Sequence, residues 1–194
     1  MKKVVSILGS PRIKGSSSRI AASFTEEAKR LGADIEIFPL NNMNYRGCQG
    51  CEACHTKLDQ CAFEDDGKKA LDSMRTADVV VFASPVYLGD ISGQFKLLMD
   101  RTWSHVAVDY SKDYPFVNRI PEGKVAVLIL SQASDENAHL DVVERYTETL
   151  AMLGFEVKVL RATSQSMESE NDVSVVEAEA SALAKTLCEA SNES

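Results

Sequence analysis

The stretch GSPRIKGSSSR, residues 9–19, decides how this chain folds. It comes at the end of an apolar segment, residues 3–9, that predicts a buried strand, and it leads into a segment with helical periodicity, residues 17–31. A glycine- and serine-rich loop between a strand and a helix presents backbone N–H groups, and the helix dipole favours negative charge there. The stretch therefore predicts an anion site, although a polar turn with one helix-capping serine has the same local pattern.

The side chains of this loop indicate that the anion is a phosphate. Hydroxyl and N–H groups can surround a phosphate, and Arg12 or Lys14 can supply positive charge. The candidate phosphate-binding residues are Ser10, Arg12, Ser16, Ser17 and Ser18, and Ser16 or Ser17 is the predicted N-cap of the helix. The loop has neither the Gly-Lys-Ser/Thr of a Walker loop nor the G-x-G-x-x-G of a dinucleotide loop, which favours a mononucleotide.

The composition is that of an ordinary folded domain. Of the 194 residues, 44% are hydrophobic and 26% are charged, and the net charge is −8 without any block of lysine and arginine. This charge argues against nucleic acid or an anionic membrane as the main partner. Because no segment has the length of a membrane span or the features of a signal peptide, we expect a cytoplasmic protein.

Strand and helix patterns alternate along the chain. The predicted strands are residues 3–9, 34–38, 79–85, 124–131 and 155–160, and the predicted helices are residues 17–31, 67–75, 92–103, 137–153 and 172–190. Because the first, third and fourth strands are apolar throughout, both faces of the sheet must be covered. We therefore expect an α/β fold, a flavodoxin-like doubly wound sheet of five parallel strands in the order 2-1-3-4-5 with helices on both faces, in a single domain spanning residues 1–194.

In this strand order, ligands bind between the first and third strands, beyond their carboxyl ends. The loop after the third strand, residues 84–90, offers an aromatic wall and a glycine that permits close backbone approach, as a flat ring with a polar edge requires. Tyr87 can supply the wall and Gly89 the close approach, and a third wall would be formed after the fourth strand by Ser131, Gln132, Ala133 and Ser134. Taken alone, this loop also fits an ordinary strand-to-helix turn.

Four of the five cysteines lie in a loop, residues 45–64, inserted after the second strand. Cys48, Cys51 and Cys54 are separated by two residues each, and Cys61 follows after six. Three thiolates at this spacing can reach one centre, and cysteine tetrads hold zinc or an iron–sulfur cluster. A cluster, a zinc ion and free or redox-active thiols are all compatible with the pattern. Cys188 lies on the apolar face of the last predicted helix and is expected in the core.

The three motifs together resemble the NADPH-dependent FMN reductase family. GSPR-x-x-G-S-S, the cysteine loop and SPVYLGDISGQFKLLMDR follow the family's order over residues 3–160, and the cysteine spacing is similar to that of its iron–sulfur flavoproteins. By this resemblance, the FMN phosphate would lie on the first loop, and the isoalloxazine ring would contact Pro85, Val86, Tyr87, Leu88 and Gly89. The resemblance implies, besides bound FMN, a 4Fe–4S cluster on the four cysteines. It also implies a homodimer or homotetramer with the flavin near a subunit interface.

On this basis we expect an FMN-dependent oxidoreductase. It would pass electrons from NAD(P)H or a ferredoxin-type donor to a quinone, a flavin, a metal ion or another acceptor. Because the cofactor performs the chemistry, the sequence singles out no catalytic side chain. The alternative is a flavin electron-transfer protein without a defined small substrate, with cysteines that are free or bound to zinc.

Overall fold

The sheet forms the frame of the molecule, whose computed structural model describes residues 1–166 and 172–189. In chain order the strands are β1 (Lys3–Leu8), β2 (Asp34–Pro39), β3 (Val79–Tyr87), β4 (Asp90–Ile91), β5 (Val106–Val108), β6 (Phe116–Asn118), β7 (Val125–Ser131) and β8 (Glu156–Ala162). Five of them pair in parallel in the order β2-β1-β3-β7-β8. This is the predicted order 2-1-3-4-5, so the flavodoxin-like prediction is confirmed.

Helices cover both faces of this sheet. They are α1 (Ser16–Arg30), α2 (Ala53–Thr56), α3 (Asp66–Thr76), α4 (Gly93–Arg101), α5 (Leu140–Met152) and α6 (Ser174–Cys188). On one face, α1 and α6 contribute Ile20 and Ala180 to a buried cluster, which also contains Cys188 as predicted. On the other face, α3 and α4 contribute Leu71 and Leu98 to a second cluster. The two clusters explain why the central strands are apolar throughout.

The central strand β3 shows this arrangement most clearly. Val81 pairs with Ser6 of β1 and with Val127 of β7, so both edges of β3 are occupied. Successive side chains of a strand point to opposite faces. Accordingly Val80 and Phe82 belong to one buried cluster, and Val81 belongs to the other. Each such side chain stabilises the fold by about 1.5–3 kcal/mol relative to an exposed position.

The start of α1 differs from the prediction. The helix begins at Ser16, and Gly15 is its N-cap, in an extended conformation and without a side-chain hydrogen bond. The predicted serine N-cap is therefore wrong. The Ser16 hydroxyl instead donates to Gln165 Oε1 at 2.9 Å, and the Ser17 side chain is buried. At the other end, Gly32 has a φ of 87° and stops the helix as expected.

The predicted loop after the third strand is in part a hairpin. The strand continues to Tyr87, and Asp90–Ile91 returns antiparallel to it. Between them Leu88 and Gly89 have φ values of 49° and 80°, the left-handed pair that a tight two-residue hairpin turn requires. Glycine adopts this conformation readily, whereas leucine does so at a cost.

Two further segments depart from the predicted boundaries. Residues 104–123, predicted as a long loop, contain the short antiparallel pair of β5 and β6. Helix α5 begins at Leu140 rather than at 137, because Gln132 Nε2 donates to the Asp135 and Ala138 carbonyls and holds that segment in a turn. The predicted last residue of α6, at position 190, and part of the predicted connection 161–171 lie outside the described residues.

Replacing Gly9 by alanine is expected to destabilise the protein by about 1–3 kcal/mol. The added Cβ would lie 2.7 Å from Phe95 Cβ and 3.0 Å from Ser92 Oγ. Gly93→Ala is the matched control, since among the described residues no heavy atom beyond its chain neighbours and the backbone of its own helix lies within 4 Å of its Cβ position. Urea unfolding measures both variants, and equal free energies of unfolding would contradict the prediction.

Candidate functional site

A cavity of about 350 Å³ lies where the loops after β1, β3 and β7 meet. Its volume is in the range of small-molecule sites. The residues that line it are Arg12, Ser16, Pro85, Val86, Tyr87, Leu88, Ser131, Gln132, Ala133, Gln165 and Ser166. Seven of the predicted site residues are therefore brought together, while Ser10, Ser17, Ser18 and Gly89 are not among the lining residues. The sequence analysis missed the wall formed by Gln165 and Ser166 after β8.

Hydroxyl groups within the first loop hold the loop itself together. Ser10 Oγ accepts from Arg12 N at 3.1 Å and donates to Arg12 O at 3.2 Å. Ser18 Oγ donates to the same carbonyl at 3.1 Å. The Ser17 hydroxyl is buried and has no hydrogen-bond partner among the described residues. Ser10 and Ser18 thus shape the loop, while Arg12 and Ser16 line the cavity.

The N-terminus of α1 has several features that favour an anion. No side chain caps its first turn, and that turn contains no acidic residue. The first N–H groups of a helix have no partner within the helix and carry the positive end of its dipole. A Cβ on Gly15 would lie 3.0 Å from Ser10 Oγ and 3.1 Å from Arg12 O, so the loop needs glycine at this position. These features are compatible with a phosphate, and the phosphate site on this loop stays a prediction.

The β3–β4 turn is held in place by α5. Asp90 Oδ1 accepts from the backbone N–H of Ile91 at 2.7 Å and from Tyr146 Oη at 2.8 Å. Asp90 Oδ2 accepts from Arg145 Nη1 at 3.1 Å. Burial, together with the hydrogen bond to Asp90, raises the pKa of Tyr146, so the phenol stays protonated and remains a donor. Tyr87 and Leu88 are left exposed at the mouth of the cavity.

The four cysteines of the inserted loop surround a second, smaller cavity. Cys48, Cys51, Cys54 and Cys61 line it together with Phe63, Arg101 and Trp103. The backbone N–H of Gly50 lies 3.5 Å from the Cys48 sulfur, and burial raises the pKa of the Cys54 thiol. Within the described residues, no three His, Cys, Asp or Glu side chains come together as a metal ion requires. The cysteines share one cavity, but their sulfurs are not gathered around a single centre.

A buried arginine at the end of α4 holds this loop. Arg101 Nη1 donates to the Asp65 carboxylate at 2.7 and 2.8 Å and to the Arg46 carbonyl at 3.1 Å. Arg101 Nη2 donates to the Phe63 carbonyl at 3.3 Å. Only 1% of Arg101 is exposed. The sequence analysis missed this residue, because nothing in its local sequence distinguishes it from a surface arginine.

The chain is similar to known proteins both in sequence and in fold. A model of the NADPH-dependent FMN reductase family matches residues 2–172. The chain belongs to this family. An iron–sulfur flavoprotein from Archaeoglobus fulgidus is 38% identical over 100 residues, which cover 52% of this chain and 48% of that protein. The chain thus aligns over about half the length of the curated iron–sulfur flavoproteins that it matches.

Solved structures show the same fold. An NAD(P)H:quinone oxidoreductase from Methanothermobacter marburgensis has a TM-score of 0.76 at 18% identity and covers 96% of this chain and 98% of that chain. An FMN-dependent NADH-azoreductase from Bacillus anthracis, in complex with FMN, has a TM-score of 0.74 at 16% identity and covers 97% of this chain and 100% of that chain. At these identities the similarity shows the flavodoxin-like fold that the strand order also gives.

The cleft between the loops after β1, β3 and β7 is not the largest cavity of the described residues. A cavity of about 490 Å³ runs along the flank of α1 beside the edge strand β2 and is bordered by Glu26, Lys29 and Asp34. Its lining includes the predicted phosphate residue Ser18, from the first turn of α1, but no residue of the loops that follow β3 and β7. The smaller cleft is therefore the better candidate for a nucleotide. Among the described residues, no helix combines the length and apolarity needed to cross a bilayer.

His105 is buried near the cysteine loop. Only 1% of the residue is exposed, and neither ring nitrogen has a hydrogen-bond partner in the described part of the chain. Burial, with smaller contributions from Arg75 and Arg119, lowers the pKa of His105 to about 3. The imidazole is therefore neutral in the folded protein at neutral and mildly acidic pH.

The buried His105 predicts a loss of stability in mild acid. In the unfolded chain His105 binds a proton below its ordinary pKa of 6.5, whereas in the folded chain it binds one only near pH 3. Between pH 7 and pH 5 this difference lowers the free energy of unfolding by on the order of 2 kcal/mol. Urea unfolding at the two pH values should show a smaller decrease for His105→Leu. An unchanged decrease in that variant would assign the pH dependence to other groups.

Proposed function

We propose that this protein is an FMN-dependent NAD(P)H oxidoreductase. The observation that carries the proposal is that one cavity joins the uncapped N-terminus of α1 to the exposed Tyr87–Leu88 turn. The first feature suits a phosphate and the second suits the edge and face of a flat ring. Membership of the NADPH-dependent FMN reductase family supports this assignment.

The residues present fit FMN in charge and in shape. Arg12 and the first-turn N–H groups of α1 would hold the phosphate, and Ser16 is placed on the same wall. Residues 85–88 line the cavity and would contact the isoalloxazine ring, as would Ser131 and Gln132 of the neighbouring loop. The left-handed backbone at Leu88 and Gly89 turns the chain sharply beside the ring, and the Asp90–Tyr146 hydrogen bond holds that turn.

Bound FMN supplies the redox chemistry, accepting a hydride or single electrons and passing them on. The chain's part is to bind and orient the flavin and to shape the space in front of it. Tyr87 and Leu88 are exposed at the cavity mouth and would meet the donor and the acceptor. We propose NAD(P)H or a ferredoxin-type donor, and a quinone, a flavin, a metal ion or another acceptor. A quinone oxidoreductase and an azoreductase are among the proteins that share the fold.

We further propose that the inserted loop holds a 4Fe–4S cluster through Cys48, Cys51, Cys54 and Cys61. Three observations support it: the four residues line one cavity, thiolates are the ligands that such clusters use, and several relatives are named iron–sulfur flavoproteins. The cluster would exchange single electrons with the flavin. The competing assignment is a zinc ion or free thiols in the same loop. For the assembly we propose a homodimer or a homotetramer.

Arg12→Ala is expected to weaken FMN binding about tenfold, because it removes one charge-assisted contact to the phosphate. Riboflavin, which has no phosphate, should bind wild type and variant equally. Lys14→Ala removes the same charge from the same loop but at a residue that does not line the cavity, and should change FMN affinity little. Fluorescence titration of the apoprotein measures the affinities of wild type, Arg12→Ala and Lys14→Ala for both ligands. An equal loss for FMN and riboflavin, or no FMN binding at all, would contradict the assignment.

Cys51→Ser is expected to abolish the cluster and to leave FMN bound. After anaerobic reconstitution the wild type should contain iron and sulfide in about equal amounts, near four of each per chain. Cys188→Ala, which alters a cysteine in the opposite core, should keep both. Iron, sulfide and zinc analysis with the visible spectrum distinguishes the outcomes. Zinc without sulfide, or iron retained in Cys51→Ser, would overturn the cluster assignment.

A further inference from the structure

We propose that Arg101 is the positioning residue of the cysteine cavity: it fixes both ends of the cysteine loop and supplies a buried N–H and a positive charge to the centre held there. The inference rests on the proposed cluster and deepens it. Three observations carry it, namely the hydrogen bonds of the guanidinium, the burial of its Nε atom and the charge balance with Asp65.

The hydrogen bonds of Arg101 bracket the loop. One terminal nitrogen reaches the Arg46 carbonyl, which lies two residues before Cys48, and the Asp65 carboxylate, which lies four residues after Cys61. The other reaches the Phe63 carbonyl. A single rigid fork on α4 thus ties the chain on either side of all four cysteines. This anchor compensates for a loop whose longest regular element is the four-residue helix α2.

The Nε atom is the unused donor of this fork. It is buried and has no hydrogen-bond partner within residues 1–166 and 172–189. Buried N–H groups are almost always paired, because leaving one unpaired is costly. Arg101 lines the cavity together with the four cysteines, and their thiolate sulfurs are the most numerous side-chain acceptors there, beside single oxygen-bearing side chains at Glu52 and Ser104. A sulfur-rich anionic centre would therefore give Nε–H the partner that it lacks.

Charge gives the same residue a second effect. Asp65, at 18% side-chain exposure, neutralises a guanidinium whose own side chain is fully buried. Nearby positive charge favours the reduced form of a cluster and raises its midpoint potential, and nearby negative charge lowers it. The opposite charges of Arg101 and Asp65 would therefore together set the midpoint potential of the proposed cluster. Removing the cation should lower the midpoint potential, whereas removing the carboxylate should raise it. A purely structural anchor does not produce shifts of opposite sign.

The test compares Arg101→Gln with Asp65→Asn in the reconstituted full chain. Asparagine keeps the capability of Asp65 to cap α3 at Lys68 N while removing its charge. Redox titration followed by EPR should show a lower cluster potential for Arg101→Gln and a higher one for Asp65→Asn. Arg101→Gln should also lose iron to a chelator about tenfold faster, the usual scale of an outer-shell change.

Arg75→Gln is the matched control. Arg75 also holds the cysteine loop, donating to the Asp59 carbonyl at 3.0 Å, but it does not line the cavity. Its replacement should leave the potential unchanged. Loss of bound FMN would report that Arg101→Gln fails to fold. In that case the midpoint potential of Asp65→Asn, compared with that of Arg75→Gln, is the test.

The outcomes separate the two levels of the proposal. A wild-type protein that binds FMN but no iron overturns the cluster and this inference together. A wild type with a cluster whose potential moves in neither variant, or moves equally in the Arg75→Gln control, overturns the role of Arg101 and leaves the cluster standing.

Discussion

The hydroxyl of Ser92 joins the elements on which the cleft depends. It donates to the Gly9 carbonyl at 2.6 Å and accepts from Phe95 N at 3.3 Å, capping α4. The Ser92 N–H in turn donates to Ser84 Oγ at 3.0 Å. Gly9 N donates to the Ala83 carbonyl at 2.8 Å. The end of β1, the end of β3 and the start of α4 are thus fixed to one another, and both loops of the cleft leave from this point.

Local and global requirements conflict at the start of α1, and the global requirement prevails. A serine N-cap would stabilise the helix by about 1 kcal/mol, and three serines were available. The chain places Gly15 at the cap and leaves the first turn open. Burial of Ile20, Phe24 and Ala28 on the opposite side offsets this loss. Such a breach of a local rule, compensated by packing, is typical of a functional site.

The sequence predicts what depends on neighbours along the chain. The apolar run of β3, the glycine stop after α1 and the alternation of strands and helices give the sheet order and the position of the cleft. Contacts between distant residues escape such an analysis. Asp90 and Tyr146 are 56 positions apart and meet only because α5 folds back beside β4. Gln165 reaches Ser16 across 149 positions. Arg101 is hidden for another reason, since arginine is seldom fully buried.

The two sites of the molecule are joined by one helix. Helix α4 has nine residues and is therefore about 13 Å long. Its N-cap, Ser92, holds the loops of the cleft, and its last residue, Arg101, holds the cysteine loop. A helix packed into the core through Phe95 and Leu98 is a rigid spacer, so the separation of the sites is set by its length. The proposed exchange of electrons between a flavin and a cluster would require such a fixed separation, which the length of α4 provides.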